Sequence, residues 1–132
     1  MQFSSPSLVT EGVRITVQTL FLPEQSAAAT STYCFAYRIQ IRNESEETVQ
    51  LLRRHWVIFD GQGQRRVVIG DGVVGKQPVL EPGQEHAYVS GSVFATMVGK
   101  MEGHYTMRRL ATGEEFRVAI PPFVLEVPFL AN

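Results

Sequence analysis

An antiparallel β-sandwich or small β-barrel is the fold class this sequence predicts, on three observations. Apolar and polar residues alternate with period two in segment after segment, which places neighbouring side chains on opposite faces of a strand. Glycine and proline signals divide the chain into seven or more such segments. No segment carries the 3.6-residue apolar stripe of a long helix.

VRITVQTLF is the first segment: Val13, Ile15, Val17 and Phe21 alternate with Arg14, Thr16 and Gln18. YCFAYRIQIRN sets Phe35, Tyr37, Ile39 and Ile41 against Cys34, Ala36, Arg38, Gln40 and Arg42, the clearest half-buried strand of the chain. Residues 23–32, PEQSAAATST, lie between them; three alanines allow one helical turn, but the length and flanks fit a loop. TVQLLRRHWVIFD, the turn GQGQ and RRVVIG read as a hairpin. Further strands are expected over Glu85 to Ser92, in HYTMRRL from His104, in EFRVAI from Glu114 or Glu115, and in PFVLEVP from Pro122, with ATGE as a tight turn. Residues 1–8 and the last few are expected to be mobile.

At 132 residues, with 44% apolar and 19% charged side chains, the chain fits a single domain, 1–132, around one core. A formal charge of −1 with twelve dispersed basic residues supplies no field to attract nucleic acid. The N-terminus lacks the pattern of a secretory leader. No apolar run approaches the ~20 residues of a membrane helix, so no membrane insertion is expected. Cys34 is the single cysteine, which excludes an internal disulfide and fits a reducing compartment, the cytoplasm. Its strand neighbours Tyr33 and Phe35 offer no base, so an inert thiol is expected. His55, His86 and His104 have no paired ligand spacing. No metal and no cofactor is expected.

GDGVVG, Gly70 to Gly75, has the G-x-G-x-x-G spacing of dinucleotide-binding loops. That fingerprint needs a helix opening on the glycines, and Pro78 and Pro82 deny one. The glycines therefore read as a strand connection needing positive φ or close packing, with Val73 and Val74 anchoring it to the core. A sharper reading keeps Gly70, Gly72, Gly75 and Lys76 as an anion-binding or partner-binding loop, because consecutive amides in a turn can form a concave nest. Arg54 and Trp56 share a strand face by period two and are candidate partner contacts, set against the plainer reading of Trp56 as core.

LLRRHWVIFDGQG, VVIGDGVVGKQPVLEPGQEHAYVSG, GKMEGHYTM and IPPFVLEVP together resemble the bacterial ApaG family from about Val13 to Pro128. The resemblance implies an immunoglobulin-like sandwich of the fibronectin type III kind. It also implies an association with cobalt tolerance and magnesium efflux, and relatives among eukaryotic interaction domains; it carries over no catalytic residue. The expectation is a non-enzymatic domain acting through a protein partner, with its strand edges open to a peptide or to a second copy of the chain. The alternatives are a module binding pyrophosphate or a nucleotide polyphosphate at Gly70 to Gly75, and direct Co²⁺ or Mg²⁺ binding by side chains.

Overall fold

The period-two alternation becomes two sheets in the computed structural model, which describes residues 5–128. The strands are β1 Ser7–Thr10, β2 Val13–Phe21, β3 Tyr33–Asn43, β4 Val49–Asp60, β5 Arg65–Asp71, β6 Val79–Leu80, β7 Glu85–Phe94, β8 Val98–Arg109 and β9 Glu115–Glu126. One sheet runs β1-β2-β3-β7 and the other β5-β4-β8-β9, with the short β6 pairing to β4. Every pairing is antiparallel. The immunoglobulin-like, fibronectin type III-like sandwich expected from the sequence is the architecture observed.

Alternation decides the core. Val13, Ile15, Val17, Phe35, Tyr37, Ile39 and Ile41 point inward and are buried, each contributing roughly 1.5–3 kcal/mol of apolar burial at the larger aliphatic and aromatic positions. Loop 23–32 contains two 3₁₀ turns, Pro23–Gln25 and Ala28–Thr30, rather than an α-helix.

Three expectations are corrected. Ser7 and Leu8 are not loose: they pair with Thr16 and Ile15 as β1, while residues 1–4 and 129–132 lie outside the described residues. The strand expected from His104 begins at Val98. EFRVAI and PFVLEVP form one strand, β9, which absorbs both prolines in a bulge. Pairing advances from Met101 to Gly103 on β8 while β9 goes from Phe123 to Ile120, so Pro121 and Pro122 fall where the ladder is interrupted. An edge strand with a bulge asks for no amide donor there. The inward set shifts accordingly, from Phe116, Val118 and Ile120 to Phe123 and Leu125.

A second bulge shapes the site. Leu51 pairs with Met107, but Arg53 pairs with Thr106, so Leu52 is the extra residue of β4. Before it, Val49 and Leu51 point inward; after it, Arg54, Trp56 and Ile58 do. The carbonyl of Leu52, outside the regular ladder, accepts from the Gly72 amide at 2.8 Å and from Gln77 Nε2 at 2.9 Å.

The two sides of the sandwich differ. On one, β9 packs against β1 and β2, and the Ala119 amide donates to Thr10 Oγ1 at 3.3 Å. On the other, β5 and β7 are the sheet edges and do not pair, so the sandwich stays open there. Its end is tied by Asn43, which is fully buried. Asn43 Nδ2 donates to the carbonyls of Glu47 and Leu80, and Oδ1 accepts from the Ser45 amide and hydroxyl.

Candidate functional site

The open side forms a groove of about 430 Å³ between β5 and β7. Trp56, Tyr37 and Met101 form its floor, Arg66 and Val68 line the β5 wall, and Ser90 and Ser92 line the β7 wall. Val73 and Val74 stand beside it. β5 reads as this kind of edge strand: its even residues Arg66 and Val68 and its odd residues Arg65, Val67 and Ile69 are all exposed, so neither face is covered.

The predicted candidates meet here in part. Trp56 is core, 3% exposed, and packs edge-on to Tyr37 and Phe123; it supports the groove from beneath and does not form an exposed stack with Arg54. Arg54 turns its guanidinium onto the glycine loop, where Nη1 donates to the Asp71 carbonyl at 2.9 Å and the Gly72 carbonyl at 3.0 Å. Arg53, its neighbour, faces the other way and pairs with Glu115 at 2.8 Å, as adjacent strand residues must.

Each glycine of the loop has a local cause. A Cβ on Gly70 would stand 2.7 Å from Arg54 Nη2, so Gly70 makes room for that side chain. Gly72 has φ +63°, and a Cβ there would meet the Lys76 carbonyl oxygen at 2.3 Å. Val73 and Lys76 then exchange both hydrogen bonds, at 2.8 and 3.0 Å, across a two-residue turn. Val74 (φ +47°) and Gly75 (φ +74°) are both left-handed there, the signature of a type I′ turn. No helix follows; the chain runs into β6. The amides of Gly72, Val73 and Lys76 are therefore already donating within the protein.

Val73 anchors the loop at 1% exposure, as expected, but Val74 does not: it is 64% exposed. A β-branched residue with φ above zero is strained, so an apolar side chain is displayed at the turn tip in a conformation it disfavours. Lys76 lies on the far side of the turn, near His86, whose pKa is held below the ordinary value by burial and then by the Lys76 charge.

Two tyrosines lie beneath the groove, the Tyr88 and Tyr105 hydroxyls meeting at 2.5 Å. Burial pushes both phenols up, so both are neutral near pH 7. Arg66 Nη2 reaches Ser92 Oγ at 3.5 Å, spanning the gap between the two edges at the limit of a hydrogen bond. Neither Arg54 nor Arg66 has a carboxylate within ion-pair distance among the described residues, and the groove lining contains no Asp or Glu. By contrast Arg109 is fully occupied, pairing with Glu11, Glu47 and Glu114 while its guanidinium lies 4.0 Å over the Phe116 ring.

From sequence Arg66 reads only as one of an arginine pair with Arg65 on a solvated strand, and Val68, Tyr88 and the two serines are not site candidates there. The available signal was RRVVIG itself, which lacks clean alternation and so marks a strand with no covered face. Of the other candidates, His55 and His104 stack across β4 and β8 at 4.7 Å, far from His86 in the ladder. No group of three or more His, Cys, Asp or Glu that can hold a metal ion occurs among the described residues. Cys34 donates its thiol to the Gln25 carbonyl at 3.1 Å, closing the loop before β3. Among the described residues no helix is long and apolar enough to cross a membrane.

Comparison with known proteins places these features in context. The ApaG domain profile matches residues 23–109, a span that includes every residue lining the groove. Protein ApaG of Pseudomonas paraeruginosa is 49% identical over 116 residues, 88% of this chain and 91% of that protein. Protein ApaG of Methylobacterium radiotolerans is 50% identical over 119 residues, 90% and 91% of the two chains. Among solved structures, a Bordetella pertussis protein described as ApaA superposes with a TM-score of 0.85 at 36% identity, covering 95% of this chain and 98% of its own.

Proposed function

The chain belongs to the ApaG domain family, and on that premise we propose that it is a non-catalytic binding module that holds a partner protein in the open side of its sandwich. The observation that carries this reading is the groove between the unpaired edges β5 and β7, floored by Trp56 and flanked by the displayed Val74. An unpaired edge offers a row of main-chain donors and acceptors to an incoming strand. An aromatic floor supplies apolar contact area at low conformational cost.

Gly70, Gly72 and Gly75 act in this reading by shaping the wall: they let Arg54 lie back on the loop and hold the tight turn that presents Val74. Lys76 closes that turn. Partner binding is preferred to pyrophosphate binding because three loop amides are committed to internal hydrogen bonds, and two successive left-handed residues do not give the alternating geometry of an anion nest. A contribution to cobalt tolerance or magnesium efflux then runs through the protein that is bound, in the cytoplasm.

Site-specific photo-crosslinking in cells tests this. A photoreactive residue placed at Val74 or Ser90 is expected to trap a discrete protein adduct, and one at Arg117, exposed on β9 at the opposite edge of the β5 sheet, is not. Adducts absent at the groove positions, or equal at all three, would refute the reading, as would turnover of a substrate by the purified protein.

A further inference from the structure

Building on that groove reading, we infer that the bound segment is an extended stretch carrying two acidic side chains four residues apart with an apolar residue midway between them. The register of β4, which carries the floor, with the β5 wall motivates this. Arg54 stands opposite Gly70, Trp56 opposite Val68, and Ile58 opposite Arg66. Read along the groove, these two neighbouring strands of one sheet present a cation, then an apolar seat made by Trp56 and Val68, then a second cation.

Arg54 and Ile58 are four residues apart in β4, so the stations that carry the two arginines are about 13 Å apart at ~3.3 Å per residue. An extended occupant repeats that same rise and turns every second side chain toward the floor. Its residues i, i+2 and i+4 therefore come into step with the three stations. A helical occupant would cover the distance in about nine residues and present a different set of faces.

Charge fixes the chemistry at the outer stations. The lining holds two guanidiniums and no carboxylate, and burial keeps the Tyr88 and Tyr105 hydroxyls neutral, so the groove has no anion of its own. Arg66 spends its reach on one long contact with the Ser92 hydroxyl, which a carboxylate would replace with a charge-assisted bond. Arg54 uses Nη1 on two carbonyls of the loop, a fixed orientation that leaves Nη2 as a donor against the open face of Gly70. Ser90 and Ser92 on β7 add hydroxyls beside the added strand.

Backbone amide shifts of the intact protein, titrated with synthetic peptides, test this. The probe is acetyl-STETITETS-amide, in which two glutamates flank isoleucine at the required spacing; the comparisons are the same peptide with both glutamates changed to glutamine, and one with the glutamates three residues apart. Saturable shifts confined to β5, β7 and residues 70–76 are expected, with each comparison peptide at least tenfold weaker. Arg66→Gln removes one of the two cations and is expected to cut the preference for glutamate over glutamine to what the Arg54 contact alone supplies, while leaving the spectrum of the free protein folded. Equal affinity for the glutamate and glutamine peptides, shifts elsewhere on the surface, or no shift at millimolar peptide would overturn the inference. Failure of the groove reading itself looks different: it removes the Val74 and Ser90 adducts, whereas retained adducts with no acidic preference overturn the peptide chemistry alone.

Discussion

The Arg54 guanidinium occupies the space in which any other residue at position 70 would carry its Cβ, so Arg54 and Gly70 form one unit although they lie on different strands. This unit, the close approach at Gly72 and the positive φ at Gly75 predict a graded cost for the three glycines. Gly70→Ala pushes aside only the end of a flexible side chain and is expected to cost about 1–2 kcal/mol through weakened Arg54 hydrogen bonds. Gly75→Ala meets no neighbour and costs about 1–2 kcal/mol through its left-handed backbone. Gly72→Ala suffers both that backbone cost and a collision with the Lys76 carbonyl, and is expected to cost roughly 2–4 kcal/mol. Urea denaturation of the three variants checks the order.

Val74→Asn should act in opposite directions on stability and binding. It converts the turn centre to Asn-Gly, the preferred type I′ pair, and relieves the strain of a β-branched residue at φ +47°. The expected gain is about 1 kcal/mol in chemical denaturation. Loss of the exposed apolar side chain should weaken partner capture at the same time, a trade expected where strain is retained for function.

Asn43 predicts a large effect far from the groove. Asn43→Ala leaves the buried carbonyl of Leu80 and the Ser45 hydroxyl without a partner they now have, and is expected to cost roughly 2–4 kcal/mol. Asn43→Asp keeps the acceptor but puts a charge where no cation is supplied, and should be no better. Thermal unfolding of the two variants against the wild type measures this.

The histidines predict a pH dependence. Burial, then Arg117, then His55 hold the His104 pKa below its unfolded value of 6.5, and burial followed by Lys76 does the same for His86. The unfolded chain therefore binds protons that the folded chain refuses. The stability they contribute is complete above pH 6.5 and is lost as pH falls through the folded values. Glu44, held low chiefly by its hydrogen bond from Arg14, keeps its full contribution above the usual carboxylate range and loses it only as pH falls into and below that range, so it adds nothing to the slope near pH ~6. The melting temperature should fall from pH 7.5 to about 5.5, and less steeply in His104→Gln; parallel curves for the two proteins would contradict this.

The strands were legible in the sequence where one face is buried and the other wet, as in Val13–Phe21 and Tyr33–Asn43, whose bounds agree with the structure. Period two fails wherever a bulge inserts a residue. Leu52 reverses the inward set of β4, and Pro121 with Pro122 splits what is physically one strand. The groove was half legible. Arg54 and the glycine loop drew attention by spacing, but Arg66 and Val68 belong to a strand with no covered face and so leave no alternation to read. Contacts such as His55 on His104, or Arg109 gathering Glu11, Glu47 and Glu114, join positions distant in the chain and depend on sheet register that local pattern does not encode.

Hydrogen–deuterium exchange of the protein, free and with its captured partner, tests most directly whether the open side is the binding surface. Slowed exchange confined to β5, β7 and residues 70–76 is the predicted result, with β1 and β9 unchanged. Protection falling instead on β1 and β9, with β5 and β7 exchanging as in the free protein, would contradict it.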